Sequence, residues 1–233
     1  MLLSVVIPVY NERQTLFDII RRVLEAPIGI DRELVLVDDY STDGTRELYP
    51  RLADEFPGAE IRVVSHERNQ GKGAALRTGY REIKGDIVIV QDADLEYDPN
   101  DYPALLKPIL DGRADVVYGS RFLRGPEKCV LNFWHTMGNR FLTLVSNMFT
   151  GLNLTDMETC YKVFKAEVIK GIQLKSSRFG VEPEVTAKIA RGNWRMYEVA
   201  IHYEGRSYEE GKKIGWRDAI SAIYTIVRFR FVD

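Results

Sequence analysis

An α/β fold built on a mainly parallel sheet, flanked by helices, is what this sequence predicts, and three observations carry it. Short apolar runs alternate with helical patterns through the first half of the chain. The runs are uninterrupted, as in strands that are covered on both faces. The stretches between them are long enough for right-handed crossovers, which make successive strands parallel. At 233 residues, with 45% hydrophobic and 28% charged residues and a net charge of −2, the composition is that of a soluble globular protein. It gives no global reason to expect nucleic acid as a partner.

"LLSVVIPV" (2–9) reads as the first buried strand. Leu16, Ile19, Ile20, Val23 and Leu24 follow at helical spacing. "ELVLVDD" (33–39) is a second strand, and "STDGT" (41–45) supplies turn and cap residues for a helix after it. "AEIRVVSH" (59–66) is a third strand, and "NQGKGAALRTGYREI" (69–83) is a glycine-rich lead into a helix. "DIVIV" (86–90) and "ADVVYGSRF" (114–122) are the fourth and fifth strands. No linker, repeat or low-complexity tract divides the chain, so residues 1–233 are expected to form one domain.

Ligands of open α/β sheets bind beyond the carboxyl ends of the strands, and the unusual residues gather there. Asn11 and Glu12 follow the first strand, Asp38 and Asp39 the second, Asp92 and Asp94 the fourth. Three such ends suggest a shared site. Asp92 and Asp94 form a D-x-D that strand alternation would turn to one side, onto one hard cation such as Mg²⁺ or Mn²⁺. Like charges this close are costly without a cation. The same composition also suits a solvated turn, and Asp98 and Asp101 in "DPND" read as turn and cap chemistry.

The company of the D-x-D motif extends the reading. "IPVYNE" (7–12), "VDDYSTDGT" (37–45), "NQGKGAALRTGY" (69–80), "QDADLEYDP" (91–99) and "GSRF" (119–122) occur in that order. Together they resemble the GT-A family-two glycosyltransferases. "DMETCYKVFK" (156–165), "FGVEPEVTAKIAR" (179–191) and "YEGRSYEEGKKIGWRDA" (203–219) resemble the polyprenyl-phosphate branch of that family, which includes dolichyl-phosphate mannosyltransferases and polyprenyl-phosphate glucosyltransferases. The resemblance covers nearly the whole chain. It implies a Rossmann-like nucleotide-sugar half (1–122) and an acceptor-binding half (123–233). It further implies transfer of a hexose from a UDP- or GDP-sugar to a polyprenyl phosphate, with inversion.

Carried over by motif, Pro8, Tyr10, Glu12, Val37 and Asp39 would contact the base and ribose of the donor. Asp92, Ala93, Asp94 and Glu96 would line its diphosphate, with Asp92, Asp94 and Glu96 holding Mg²⁺ or Mn²⁺ and Asp94 serving the reaction. Glu96 departs from the glutamine often found there, and Tyr40 puts a ring where the family commonly has Gly or Ser. Arg121, Arg206 and Lys212 would order the phosphates, since Arg matches phosphate bidentately and Lys is a movable point charge. Arg124, Lys128 and Arg140 are looser candidates for acceptor phosphate or lipid headgroups.

Several residues keep two readings. Gly71 and Gly73 fit a tight turn into a helix or direct donor contact, and the P-loop spacing is absent. Lys72 is either solvated or near the donor. Glu182 and Glu184 could be a general base for a hydroxyl acceptor, could orient loops or bind sugar, or could be acids at a helix N-terminus. A phosphate acceptor is already ionised and needs no base. Asp156 and Glu158 read as hydroxyl readers on the sugar or as packing and capping groups. His66, His135 and His202 lack metal-ligand spacing and read as structural. A non-catalytic nucleotide-sugar-binding subunit is the rival outside the enzyme class.

The segments "CVLNFWHTMGNRFLTLVSNMFTGL" (129–152) and "IGWRDAISAIYTIVRFRFV" (214–232) carry aromatic-rich apolar faces with basic flanks. Phe133, Trp134, Phe141, Leu142, Val145 and Phe149 share one face of the first, and Trp216, Ile220, Ile223, Val227 and Phe231 one face of the second. Such helices either lie in a membrane interface or cover the sheet. The N-terminus lacks the basic region of a signal peptide, no apolar run spans a bilayer, and Cys129 and Cys160 make no disulfide framework. The expected location is the cytoplasmic face of a membrane, by peripheral attachment, with a membrane-protein partner as one means of anchoring.

Overall fold

The five strands read from the sequence all form, and the second half of the chain adds two that the sequence pattern did not mark. The computed structural model describes residues 1–123, 130–178, 180–205 and 216–231, with the backbone alone for 216–220. β1 (Leu2–Val9) pairs in parallel with β2 (Asp31–Asp38) on one side and β4 (Ile87–Val90) on the other. β3 (Glu60–Ser65) extends the parallel half beside β2. Beyond β4 comes β6 (Lys162–Lys165), which runs antiparallel between β4 and β5 (Val116–Ser120). β7 (Met196–Ala200) closes the sheet, parallel to β5. The order is β3-β2-β1-β4-β6-β5-β7.

Both missed strands are short. β6 is the four residues KVFK inside a longer polar motif, and β7 is MYEVA, only half-buried at the edge. The central strands are different: β1, β2, β4 and β5 are buried almost end to end, which is why their apolar runs were legible.

α1 (Leu16–Glu25) buries Leu16, Ile19, Ile20 and Val23, the periodic face read from the sequence. After "STDGT" the chain forms a 3₁₀ segment over Thr45–Arg51 and then only a four-residue α2 (Leu52–Glu55). Pro50 lies inside the 3₁₀ segment, and without an N–H it cannot extend an α-helical ladder. α3 (Lys72–Glu82) lies on β1 and β2, with Gly79 in close contact with Val6. α4 (Tyr102–Leu110) packs on β5, and α6 (Ala166–Lys170) follows β6 directly. Asp98 accepts from the backbone N–H of Asn100, so the turn-and-cap reading of "DPND" holds.

α5 (Phe133–Thr150), α7 (Val181–Arg191) and α8 (Trp216–Phe231) pack against one another. α5 has an inverted pattern. It buries the hydroxyl residues Thr143 (3% exposed) and Ser146 (1%), while Phe133 (64%), Trp134 (79%), Phe141 (55%) and Met148 (76%) face outward. Met137 and Leu144 complete the outward stripe. Leu142, Val145 and Phe149, expected on the same face, are instead partly covered. On α8, Ala222, Thr225, Ile226 and Phe229 are buried, whereas Tyr224, Val227 and Phe231 are exposed beside Arg228 and Arg230. Among the described residues, no helix is long and apolar enough to cross a membrane.

Candidate active site

Three loops at the carboxyl ends of β1, β2 and β4 each hold one non-glycine residue in the left-handed region: Asn11, Tyr40 and Leu95. Such conformations are costly and persist where the surroundings enforce them. The first two loops are stitched together. Asn11 takes the backbone N–H of Thr42 at 2.8 Å and donates its own to Ser41, and Glu12 donates its N–H to Thr45. The side chains of Tyr10 and Tyr40, both 42% exposed, stand at neighbouring strand ends.

The two acids after β2 face different ways. Asp38 accepts from Arg46, Tyr49 and the Ser41 N–H, turning its carboxylate away into the fold. Asp39 accepts the backbone N–H groups of Gln70 (2.8 Å) and Gly71 (2.6 Å), and His66 Nδ1 lies 2.7 Å from its Oδ1. Asp39 thus clamps the glycine-rich loop. Gly71 has φ +92°, and a Cβ there would collide with the Ser177 carbonyl oxygen. A Cβ on Gly73 would collide with the Ser176 carbonyl oxygen. The tight-turn reading of both glycines therefore has a structural cause.

That clamp aims Lys72, the first residue of α3. Its Nζ sits 2.8 Å from Asp92 Oδ1 and 2.9 Å from Oδ2, and 3.6 Å from Glu182. Burial works against the ammonium, but the charges of Asp92 and Glu182 outweigh it and push the Lys72 pKa well above its ordinary value. Glu182 is also paired with Lys162, whose Nζ donates to the Thr159 carbonyl as well. Charges of both signs alternate here: Asp92, Lys72, Glu182, Lys162.

The D-x-D is not the strand extension expected of it. β4 stops at Val90, and a turn through Leu95 follows, in which Asp94 Oδ1 accepts the Glu96 N–H at 3.2 Å. Gln91, fully buried, fixes the turn by donating to the Asp92 carbonyl while accepting from Tyr102 (2.7 Å) and Tyr161 (2.8 Å). Glu96 accepts from the Tyr203 hydroxyl at 2.7 Å. Its carbonyl takes the N–H of Glu204, and Tyr97 and Tyr203 form an isolated β-bridge. Among the described residues, no three Asp, Glu, His or Cys side chains gather at metal-binding spacing. A nucleotide-site Mg²⁺ or Mn²⁺ needs only one or two carboxylates beside phosphate and water oxygens, and Asp92 already attracts a cationic group. The donor set therefore fits a hard divalent ion.

The far wall comes from the loops around β5 and β6. Arg121, 7% exposed, is held by Asp156 through Nε (2.7 Å), Nη2 (2.8 Å) and its backbone N–H (3.0 Å). Glu198 in turn accepts the N–H groups of Thr155 and Asp156. Glu158 feels the charges of both this pair and the Lys162–Glu182 pair, and its Oε1 is enclosed with no hydrogen-bond partner. Burial first, and then the charge of Glu182, raise its pKa to about 7 against the pull of Lys162 and Arg121. A carboxyl whose folded pKa is raised binds more protons in the native state than in the unfolded chain. It therefore lowers stability as pH climbs from its unfolded value to about 7. Replacing Glu158 by Gln removes that term. The thermal midpoint of the wild type should fall relative to Glu158→Gln between pH 5 and pH 8 in paired melts, and parallel curves would refute this.

The sequence model of Glycosyl transferase family 2 matches residues 4–172, most of the chain and all of the strand ends just described. The chain belongs to that family. A dolichol-phosphate mannosyltransferase of Pyrococcus furiosus is 30% identical over 218 residues, covering 92% of this chain and 60% of the relative. An undecaprenyl-phosphate 4-deoxy-4-formamido-L-arabinose transferase of Edwardsiella ictaluri is 31% identical over 226 residues, covering 96% and 66%. The chain thus spans about two thirds or less of the length of these relatives. Among solved structures, glucosyl-3-phosphoglycerate synthase of Mycobacterium tuberculosis, in complex with Mn²⁺, UDP and phosphoglyceric acid, superposes with a TM-score of 0.74 at 23% identity. The match covers 99% of this chain and 79% of that one, and the fold is of the GT-A type.

In this family 2 chain the sequence-selected residues separate into groups. Pro8, Tyr10, Glu12, Asp39, Asp92, Ala93, Asp94 and Glu96 all lie at the carboxyl ends of β1, β2 and β4. Val37 does not present its side chain, which is fully buried near Gly79. Arg121 and Asp156 neutralise one another, so neither stands free as the phosphate ligand or sugar reader expected. Glu184 is structural: its oxygens take the N–H groups of Lys175 and Ser176, and Lys188 pairs with it at 2.9 Å. Arg140 is exposed on α5 with its guanidinium 5.5 Å from the Phe122 ring, and Arg121 lies 5.6 Å from the same ring. Arg124, Lys128, Arg206 and Lys212 lie outside the described residues. Sequence reasoning set Lys72 aside and missed Lys162 and Tyr203. The glycines flanking Lys72 were the available signal, since they fix its backbone; Lys162 and Tyr203 gave none beyond lying in the quoted motifs.

Proposed function

We propose that this chain transfers a hexose from a UDP- or GDP-sugar to a polyprenyl phosphate at a membrane surface. The observation that carries the reading is the Asp92–Glu96 turn, set at the end of β4 beside the ends of β1 and β2 in a family 2 fold. The named relatives transfer sugars to or from dolichol or undecaprenyl phosphate, which supports the lipid acceptor. A Mg²⁺ or Mn²⁺ ion held by Asp92 and Asp94, with Glu96 beside them, would supply positive charge to the departing diphosphate. In the reaction an acceptor phosphate oxygen forms the new bond to the anomeric carbon as the bond to the nucleoside diphosphate breaks on the opposite side. Tyr10 and Tyr40 offer faces for the base of the donor. Arg140 on α5, with Arg206 and Lys212 of the motif that lies outside the described residues, would be the cations for the phosphates.

A hydroxyl acceptor requires a carboxylate free to take its proton. Glu184 is saturated and Glu182 is paired with Lys162 and Lys72, an arrangement that favours an acceptor already ionised. The inverted face of α5 supports peripheral attachment. A helix that buries Thr143 and Ser146 while exposing Phe133, Trp134, Phe141 and Met148 suits the headgroup region of a bilayer. The test is transfer of radiolabelled hexose by the purified chain, with polyprenyl phosphate in vesicles set against a soluble sugar hydroxyl. Label should appear in the lipid phosphate, and Trp134→Glu/Phe141→Glu should cut the rate on vesicles by about tenfold or more while sparing donor binding. Label only in the soluble sugar would overturn the acceptor assignment.

A further inference from the structure

We propose that Lys72 is the resident counter-ion of Asp92, the group that a divalent cation must displace before it can bind there. The proposal rests on the reading above that Asp92 and Asp94 hold the metal. Lys72 Nζ approaches both oxygens of Asp92, at 2.8 and 2.9 Å, so the carboxylate offers no oxygen that is clear of the ammonium. An ammonium and a dication sharing one carboxylate in a half-buried site repel strongly, so one must leave.

The backbone of Lys72 cannot be what moves. Asp39 takes the Gly71 N–H, the Ser177 carbonyl takes that of Ala74, and Gly71 and Gly73 are hemmed in by the Ser176 and Ser177 carbonyls. What can move is the flexible four-carbon stem. Its second anion is within reach: Glu182 Oε1 lies 3.6 Å from Nζ, while Lys162 holds the other oxygen, Oε2. Glu182 is thus a partly satisfied landing place, and a diphosphate arriving with the metal brings further negative charge. Metal alone must compete with Lys72, whereas metal with diphosphate offers Lys72 a new partner. Each ligand therefore strengthens the other, and by linkage the effect is reciprocal. Lys72 acts through Asp92 and is a positioning residue.

The experiment is Mn²⁺ binding, read from the electron paramagnetic resonance signal of free Mn²⁺, for wild type, Lys72→Met and Lys72→Arg, each without nucleotide and with saturating UDP. Without nucleotide, Lys72→Met should bind Mn²⁺ about tenfold tighter than wild type or more, while Lys72→Arg, which keeps the charge, should follow wild type. With UDP the gain should shrink or vanish. Nucleotide-free Mn²⁺ affinity in Lys72→Met equal to or below that of wild type would overturn the proposal. Asp94→Ala in the same assay isolates the underlying reading. If wild type binds Mn²⁺ with UDP and Asp94→Ala binds it equally well, the metal is elsewhere and both conclusions fall.

Discussion

The double substitution Asp92→Ala/Asp94→Ala should abolish metal-dependent donor binding and lower sugar transfer by about a thousandfold or more, the scale on which removal of groups facing developing charge acts. The substitution leaves the core intact. The strand ends at Val90, and the turn loses only the 3.2 Å bond from the Glu96 N–H to Asp94 while Gln91 and the Tyr97–Tyr203 bridge still hold it and Lys72 keeps Glu182 as a partner. Thermal midpoints should therefore stay within a few degrees of wild type, separating loss of function from loss of fold. Calorimetry with UDP-glucose and GDP-mannose, in Mn²⁺ and then in EDTA, reads the effect directly. Wild type should bind one donor in a metal-dependent way and the double variant neither. Equal donor binding by the two proteins, indifferent to EDTA, would return these acids to the role of turn residues.

The legible part of this protein is the part in which one-dimensional pattern and burial coincide. β1, β2, β4 and β5 are continuous apolar runs because they are covered on both faces, and α1 shows its period because one stripe alone is buried. The strand-end acids were legible as a cluster for the same topological reason. Which of them faces the site was not. Asp38 and Asp39 are neighbours in sequence, yet one turns to Arg46 and Tyr49 while the other clamps Gly71. The pairings Lys72–Asp92, Lys162–Glu182 and Arg121–Asp156 join residues 20, 20 and 35 positions apart. No local spacing announces them, so basic and acidic residues that looked available for ligands turn out to neutralise each other. α5 was visible as an apolar helix, but its inversion depends on Thr143 receiving the Met157 N–H, a contact only the tertiary fold supplies.

Arg121→Met should destabilise the protein by about 3–5 kcal/mol, because it leaves the Asp156 carboxylate charged and buried without its partner. For a domain of this size that corresponds to a fall of about 6–20 °C in the thermal midpoint. The reason lies in the count of bonds. Asp156 is fully buried and accepts three hydrogen bonds from Arg121, one of them from its backbone, and only that one survives the substitution. The guanidinium also lies 5.0 Å from the Tyr203 ring, whose hydroxyl holds Glu96, so the same change loosens the turn that carries Asp94. Removing both charges in Arg121→Met/Asp156→Leu should restore much of the lost stability, since a buried pair can be replaced by apolar groups at little cost. A phosphate ligand would behave differently: Arg121→Met would lower donor or acceptor affinity while the midpoint stayed put. Thermal denaturation of the single and double variants, with donor titrations alongside, distinguishes a guanidinium that shapes the wall of the site from one that reaches into it.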